Sequence, residues 1–236
     1  MHLHRMKRED NGMEMNYYKS YSPALGRDME CKVYGHKGRP VLFIPCQDGR
    51  FYDFENFHMT DTWAPWIESG EVMVFAIDTV DQETWSDTKG DPYWRIRRYE
   101  QWLDYITDEL VPFMRNMVND RNGWSGYPGI MVFGCSLGAT HGANLYFRRP
   151  DLFDRLLALS GLYSTEYGFG RGSVPELPDP LSGGYAGGSS IYPALQPEKG
   201  SDLCGTGSVG TAGIHQTAGS DLKGEENRCL GGLLGL

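Results

Sequence analysis

Four uninterrupted apolar runs punctuate the chain: Val41-Leu42-Phe43-Ile44, Val72-Met73-Val74-Phe75-Ala76-Ile77, Ile130-Met131-Val132-Phe133 and Leu156-Leu157-Ala158-Leu159. Each is short and ends in Gly, Pro, Asp or Ser, the texture of a strand covered on both faces. Met29–Tyr34 is a further, more polar strand candidate. Between the runs the period changes. Asp61–Glu68 reads as a short helix with Thr60 or Asp61 as cap and Trp63, Trp66 and Ile67 along one side. Asp91-Pro92 is an N-cap and first-turn pair for a long helix reaching about Val118, with Ile96, Tyr99, Trp102, Leu103, Ile106 and Leu110 on its apolar face. Ala139–Arg149 is helix-compatible and stops at Pro150-Asp151. Strands alternating with helices predict an α/β fold with a parallel sheet.

The third run enters Gly134-Cys135-Ser136-Leu137-Gly138, a G-x-S-x-G sequence between a strand and a helix. In that context the pattern reads as a nucleophile elbow. The serine occupies a strained backbone, and side chains two residues before or after it would collide across the turn. Such a turn lifts the Ser136 hydroxyl clear of the sheet. It also places the Leu137 N–H at a helix start, where negative charge is favoured.

Composition adds bounds. Forty percent hydrophobic residues suffice for a core, and a net charge of −9 argues against nucleic acid as a partner. No run is apolar for long enough to span a bilayer, so no membrane partner is expected. Five cysteines at scattered spacings fit reduced thiols and a cytoplasmic protein. Cys46 and Cys135 fall beside the elbow and the loop after the first run, and read as small buried residues. Residues 1–15 are polar and aperiodic and read as a disordered extension.

Other candidates follow in order. Gln47, Asp48, Gly49 and Arg50 form the loop after Ile44, readable as a plain Asp-Gly turn. Asp78 closes the second run at the sheet edge where sites collect. Tyr52, Trp85 and Tyr93 are aromatic loop residues that fit either a substrate platform or simple packing. Arg95, Arg97 and Arg98 are answered by Glu100, Asp104, Asp108 and Glu109, which predicts a solvated ion-pair face. No residue cluster predicts a metal or a cofactor.

From about Arg171 the character changes. All six tryptophans and ten phenylalanines precede it, while about half of the 31 glycines follow it. Residues 16 to 170 are expected to hold the α/β core, and 171 to 236 a Gly-rich tail of low order.

Several segments resemble the putative-esterase family of α/β-hydrolases. They are Ser22–Glu30, Gln47–Asp53, Arg97–Trp102 and Gly134–Ala139. The resemblance implies an α/β-hydrolase-type, mostly parallel sheet flanked by helices and incomplete at the C-terminus. It implies Ser136 as nucleophile, with oxyanion donors from Leu137 and from one of Gln47, Asp48, Gly49 or Arg50. A family acid and histidine are expected well after the serine, and no residue matches either. His141 lies too close on the elbow helix and reads as structural; His215 sits in the tail.

The tail itself looks frameshifted. Read one nucleotide later with free choice of synonymous codons, Cys229–Leu236 can encode AWVDYWG and Asp202–Gly210 can encode ICVGQGAWE, family-like pieces in family order. The expectation is therefore a serine esterase-like hydrolase for a small-molecule ester, impaired in this chain. A non-catalytic fragment or binding module, or an acyltransferase, are the alternatives.

Overall fold

The computed structural model describes residues 6–10, 13–126 and 128–163. The expected tail at 171–236, with His215, lies outside them. A seven-stranded sheet carries the fold: β1 (Met6–Asp10), β2 (Met13–Ser22), β3 (Arg27–Tyr34), β4 (Arg39–Ile44), β5 (Val72–Ile77), β6 (Ile130–Cys135) and β7 (Phe153–Leu159), in the order β1-β2-β3-β5-β4-β6-β7. The strands β5, β4, β6 and β7 run parallel, and β1, β2 and β3 add antiparallel pairings up to β5.

The four apolar runs are the four parallel strands, and alternation within each run divides the core. Val41, Phe43, Val72, Val74, Ala76, Met131 and Phe133 point to one face. There they pack with Phe54 of α1 (Asp53–Asn56) and with Trp63 and Ile67 of α2 (Met59–Ser69). Leu42, Ile44, Met73, Phe75, Ile77, Ile130 and Val132 point to the other. That face is covered by α3 (Pro92–Asp104), α4 (Val111–Asn122) and α5 (Leu137–Arg148).

The expected long helix is present, capped by the Asp91 carboxylate accepting the Trp94 N–H at 2.8 Å, but it is not uniform. Residues Tyr105–Leu110 widen into a π-turn just before Pro112. A proline lacks the N–H of a regular turn, and its ring collides with the carbonyl four residues earlier. The wider turn accommodates both.

Within the segment expected as a disordered extension, Met6–Asp10 and Met13–Met15 are strand. Met6–Asp10 pairs antiparallel with Met13–Tyr17, and β2 continues along β3 from Met15 to Ser22. Polar strands at a sheet edge carry no apolar signal to read. The α2 cap also differs: His58, at a left-handed φ of 55°, precedes the helix, rather than Thr60 or Asp61.

Candidate active site

Four non-glycine residues have positive φ among the described residues, and three follow the C-terminal ends of parallel strands: Asp48 after β4, Ser136 after β6 and Ser160 after β7. Strain of this kind concentrates at functional edges. Ser136 has φ 56° and ψ −123°, is half-buried, and caps α5 without using its side chain. Its N–H donates to Leu159 O at 2.8 Å, so the turn is locked to the end of β7.

The two flanking glycines are required for different reasons. A Cβ on Gly134 would stand 2.3 Å from Gly138 O, a collision across the turn. A Cβ on Gly138 would instead stand 2.3 Å from both Ile44 O and Pro45 O. The second glycine therefore lets the elbow approach the end of β4, where the Gln47–Arg50 loop begins. The Ile44–Gly134 register already sets these two strand ends side by side.

Leu137 is the first residue of α5, so its N–H has no partner within the helix. Three of the four loop N–H groups are directed inward. Asp48 N donates to Asp81 Oδ2 at 3.1 Å, Gly49 N to Cys46 O at 2.9 Å, and Arg50 N to Asp53 Oδ2 at 3.0 Å. The side chains of Gln47 and Asp48 are both held by Ser86: Gln47 Nε2 donates to its hydroxyl, and the hydroxyl donates to Asp48 Oδ1, each at 2.8 Å. The loop is thus fastened to the segment after β5.

Asp78, at the end of β5, anchors the far side of the loop. Its Oδ1 accepts Arg50 Nε at 2.8 Å and Phe51 N at 2.9 Å. Burial raises the Asp78 carboxyl above the ordinary carboxylate range, outweighing the lowering by Arg50 and the Phe51 N–H. The Arg50 guanidinium also reaches Glu30 at 3.0 Å and lies over the Phe51 and Tyr52 rings.

Beneath the elbow lies a buried polar network that sequence reading missed. His141 on α5 meets Asp81 through Nε2, and Tyr99 of α3 through Nδ1 at 3.0 Å. Asn144 donates to the Tyr99 hydroxyl at 3.1 Å. The donors order themselves: Asn144 to Tyr99, Tyr99 to His141 Nδ1, His141 Nε2–H to Asp81. Burial raises the Tyr99 phenol, consistent with its acting as the donor. Both ring nitrogens of His141 are engaged away from Ser136, which agrees with the structural reading of this histidine. The sequence shows Asp81 only as a loop residue three past Asp78; its burial is visible in the structure alone.

Trp85 is a correction. It is 2 % exposed and packs on the Tyr99 and His141 rings, so it offers no face to a ligand. Tyr52 and Tyr93 are 36 % and 39 % exposed and remain surface aromatics. The Arg95–Arg98 group is a solvated face only at Arg97. Arg95 is buried and donates to Thr84 O at 2.6 Å, Arg98 pairs with Glu83, and Glu100 pairs with Arg148 of α5. Among the described residues no cluster of three His, Cys, Asp or Glu forms a metal site, and no helix is long and apolar enough to cross a membrane.

A strained serine between a parallel strand and a helix, with a fastened loop from the neighbouring strand beside it, defines an α/β-hydrolase-type fold. Over residues 22–200 the sequence matches the family described as "Putative esterase", and the chain belongs to that family. No curated protein matches its sequence.

Among solved structures, an S-formylglutathione hydrolase from Agrobacterium tumefaciens is similar, with TM-score 0.51 and 14 % identity over 70 % of this chain and 64 % of that one. A ferulic acid esterase is similar with TM-score 0.50 and 18 % identity, over 65 % of this chain and 62 % of that one. At these identities the likeness is one of fold. The chain spans less than two thirds of the length of either structure.

Proposed function

We propose that this chain is a serine esterase-like hydrolase that attacks the carbonyl of a small carboxylic ester through Ser136. The observation that carries the reading is the backbone of Ser136, held at φ 56° on the edge of the parallel strands with its side chain free of the capping role. Strain at a serine whose side chain makes no cap hydrogen bond is accounted for by presentation of the hydroxyl. The Leu137 N–H and one N–H of the Gln47–Arg50 loop are the proposed oxyanion donors.

A serine hydroxyl needs a base within hydrogen-bond reach to attack at neutral pH. The histidines among the described residues are His36, His58 and His141. His141 is committed to Asp81 and Tyr99, and His58 pairs with Asp61 on the surface. The proposed consequence is slow turnover: acylation supported by the oxyanion donors and binding alone, the residual catalysis left when triad members are removed.

The test is a fluorophosphonate probe together with a short p-nitrophenyl ester. Labelling confined to Ser136, lost in Ser136→Ala, supports the nucleophile. A protein that never labels while fully folded is a binding module instead. Turnover at a triad-like rate that survives His141→Ala overturns the impairment while leaving the nucleophile intact.

A further inference from the structure

Cys46 and Cys135 stand on neighbouring strand ends. The Ile44–Gly134 register of β4 and β6 places Cys135 one residue past its partner and Cys46 two residues past its own. The chains stay close beyond the strands, as the crowding of Gly138 against Ile44 O and Pro45 O shows. The Cys135 side chain lies near enough to Cys46 to act on its thiol. Both are half-buried and neither is in a disulfide, whereas Cys31 is buried away on β3. One thiol immediately precedes Ser136. The other roots the adjacent loop, since Cys46 O accepts the Gly49 N–H.

We propose that Cys46 and Cys135 form a redox-active dithiol site that a hydroperoxide converts to a disulfide. In the first step one thiolate attacks a peroxide oxygen, the O–O bond breaks, and a sulfenic acid and an alcohol (or water) form. In the second, the other thiol attacks the sulfenic sulfur; the S–S bond forms, the S–O bond breaks, and the hydroxyl leaves with the thiol proton as water. Each sulfur is oxidised by one electron equivalent and the two peroxide oxygens are reduced.

Burial and the neighbouring Cys135 sulfur push the Cys46 thiol up to about 11, so Cys46 keeps its proton at neutral pH and takes the resolving role. Joining the two sulfurs in a bond of about 2 Å draws the nucleophile turn and the loop root together. A displacement on the order of 1 Å at such a site costs about a hundredfold in rate. The disulfide therefore also silences Ser136, a consequence that rests on the esterase reading; its formation does not.

The experiment takes the full chain, fully reduced, and adds stoichiometric hydrogen peroxide. Remaining thiols are then blocked with N-ethylmaleimide and the protein is digested without reductant. A cross-linked Cys46–Cys135 peptide that dithiothreitol removes is the expected result. In Cys46→Ser, Cys135 should persist as a sulfenic acid trapped by dimedone, while Cys31→Ser leaves the cross-link unchanged.

Recovery of Cys46 and Cys135 both blocked by maleimide in the peroxide-treated parent overturns the proposal, and so does cross-linking of either to Cys204 or Cys229 instead. The mass readout on the parent needs no variant to fold and does not depend on Ser136 reactivity. If the cross-link forms but fluorophosphonate labelling never occurs, the dithiol stands and the esterase reading fails.

Discussion

The Nε2 of His141 lies 2.9 Å from Oδ1 of Asp81, and the two side chains are 0 % and 1 % exposed. This contact joins the helix behind the elbow to the carboxylate that holds the Asp48 N–H. A sequence separation of sixty residues is bridged at the one point where both loops of the site are supported.

Removing one partner of such a buried pair leaves the other without its proton donor or acceptor, at a cost of about 3–5 kcal/mol. Asp81→Ala is therefore expected to lower the urea midpoint sharply. Asp81→Asn should recover part of the loss, because an amide oxygen can still accept the Asp48 N–H. Equal midpoints for the two variants, or a surface-like cost for both, would show that the network contributes little.

Ser136 contributes strain rather than stability. Ser136→Gly is expected to raise stability by about 1 kcal/mol, since glycine occupies positive φ without a Cβ penalty. Ser136→Ala should leave stability close to the parent, and both should lose probe labelling. Thermal melts of the three proteins decide it; a Ser136→Gly variant less stable than Ser136→Ala contradicts a strained elbow.

Two glycine substitutions separate crowding from conformation. At Gly138 a methyl group meets backbone oxygens at 2.3 Å that no side-chain rotation can move, so Gly138→Ala should cost about 3 kcal/mol. Gly26 has φ +65° with nothing within 4 Å of a built Cβ. Gly26→Ala should cost only about 1 kcal/mol. Denaturant titrations giving the same loss at both sites would contradict the close approach of the elbow to β4.

The buried Asp78 predicts a pH dependence. Its folded carboxyl titrates above its unfolded value of about 3.9. Between the two values the folded state binds more protons than the unfolded state, so stability falls as pH rises through that window and levels off above it. Asp78→Asn should remove that component of the slope. Urea midpoints measured from acid to neutral pH for parent and variant check it: identical slopes would mean the carboxyl is not raised on folding.

What the sequence determined by itself is local. The four parallel strands were legible because each is covered on both faces and so reads as an unbroken apolar run. The elbow was legible through Gly134, which is demanded by a contact within the turn, against Gly138; the demand on Gly138 comes from the remote end of β4. The Asp91-Pro92 helix start was legible through a local contact as well.

The tertiary structure decided whatever depends on a distant partner. β1 is a polar edge strand laid on the start of β2, held by backbone pairing that leaves little trace in the sequence. Trp85 could be read as a platform, though packing was the stronger reading, and in the structure it packs on Tyr99 and His141. The arginines of α3 looked matched along their own helix, yet Glu83 and Thr84 from the preceding segment take Arg98 and Arg95. The placing of Cys46 beside Cys135 and the Asp81–His141 pair exist only because parallel strands and their following helices bring remote residues to one edge. Helical and strand periods report which face of an element is buried; they carry no information about which remote residue covers it.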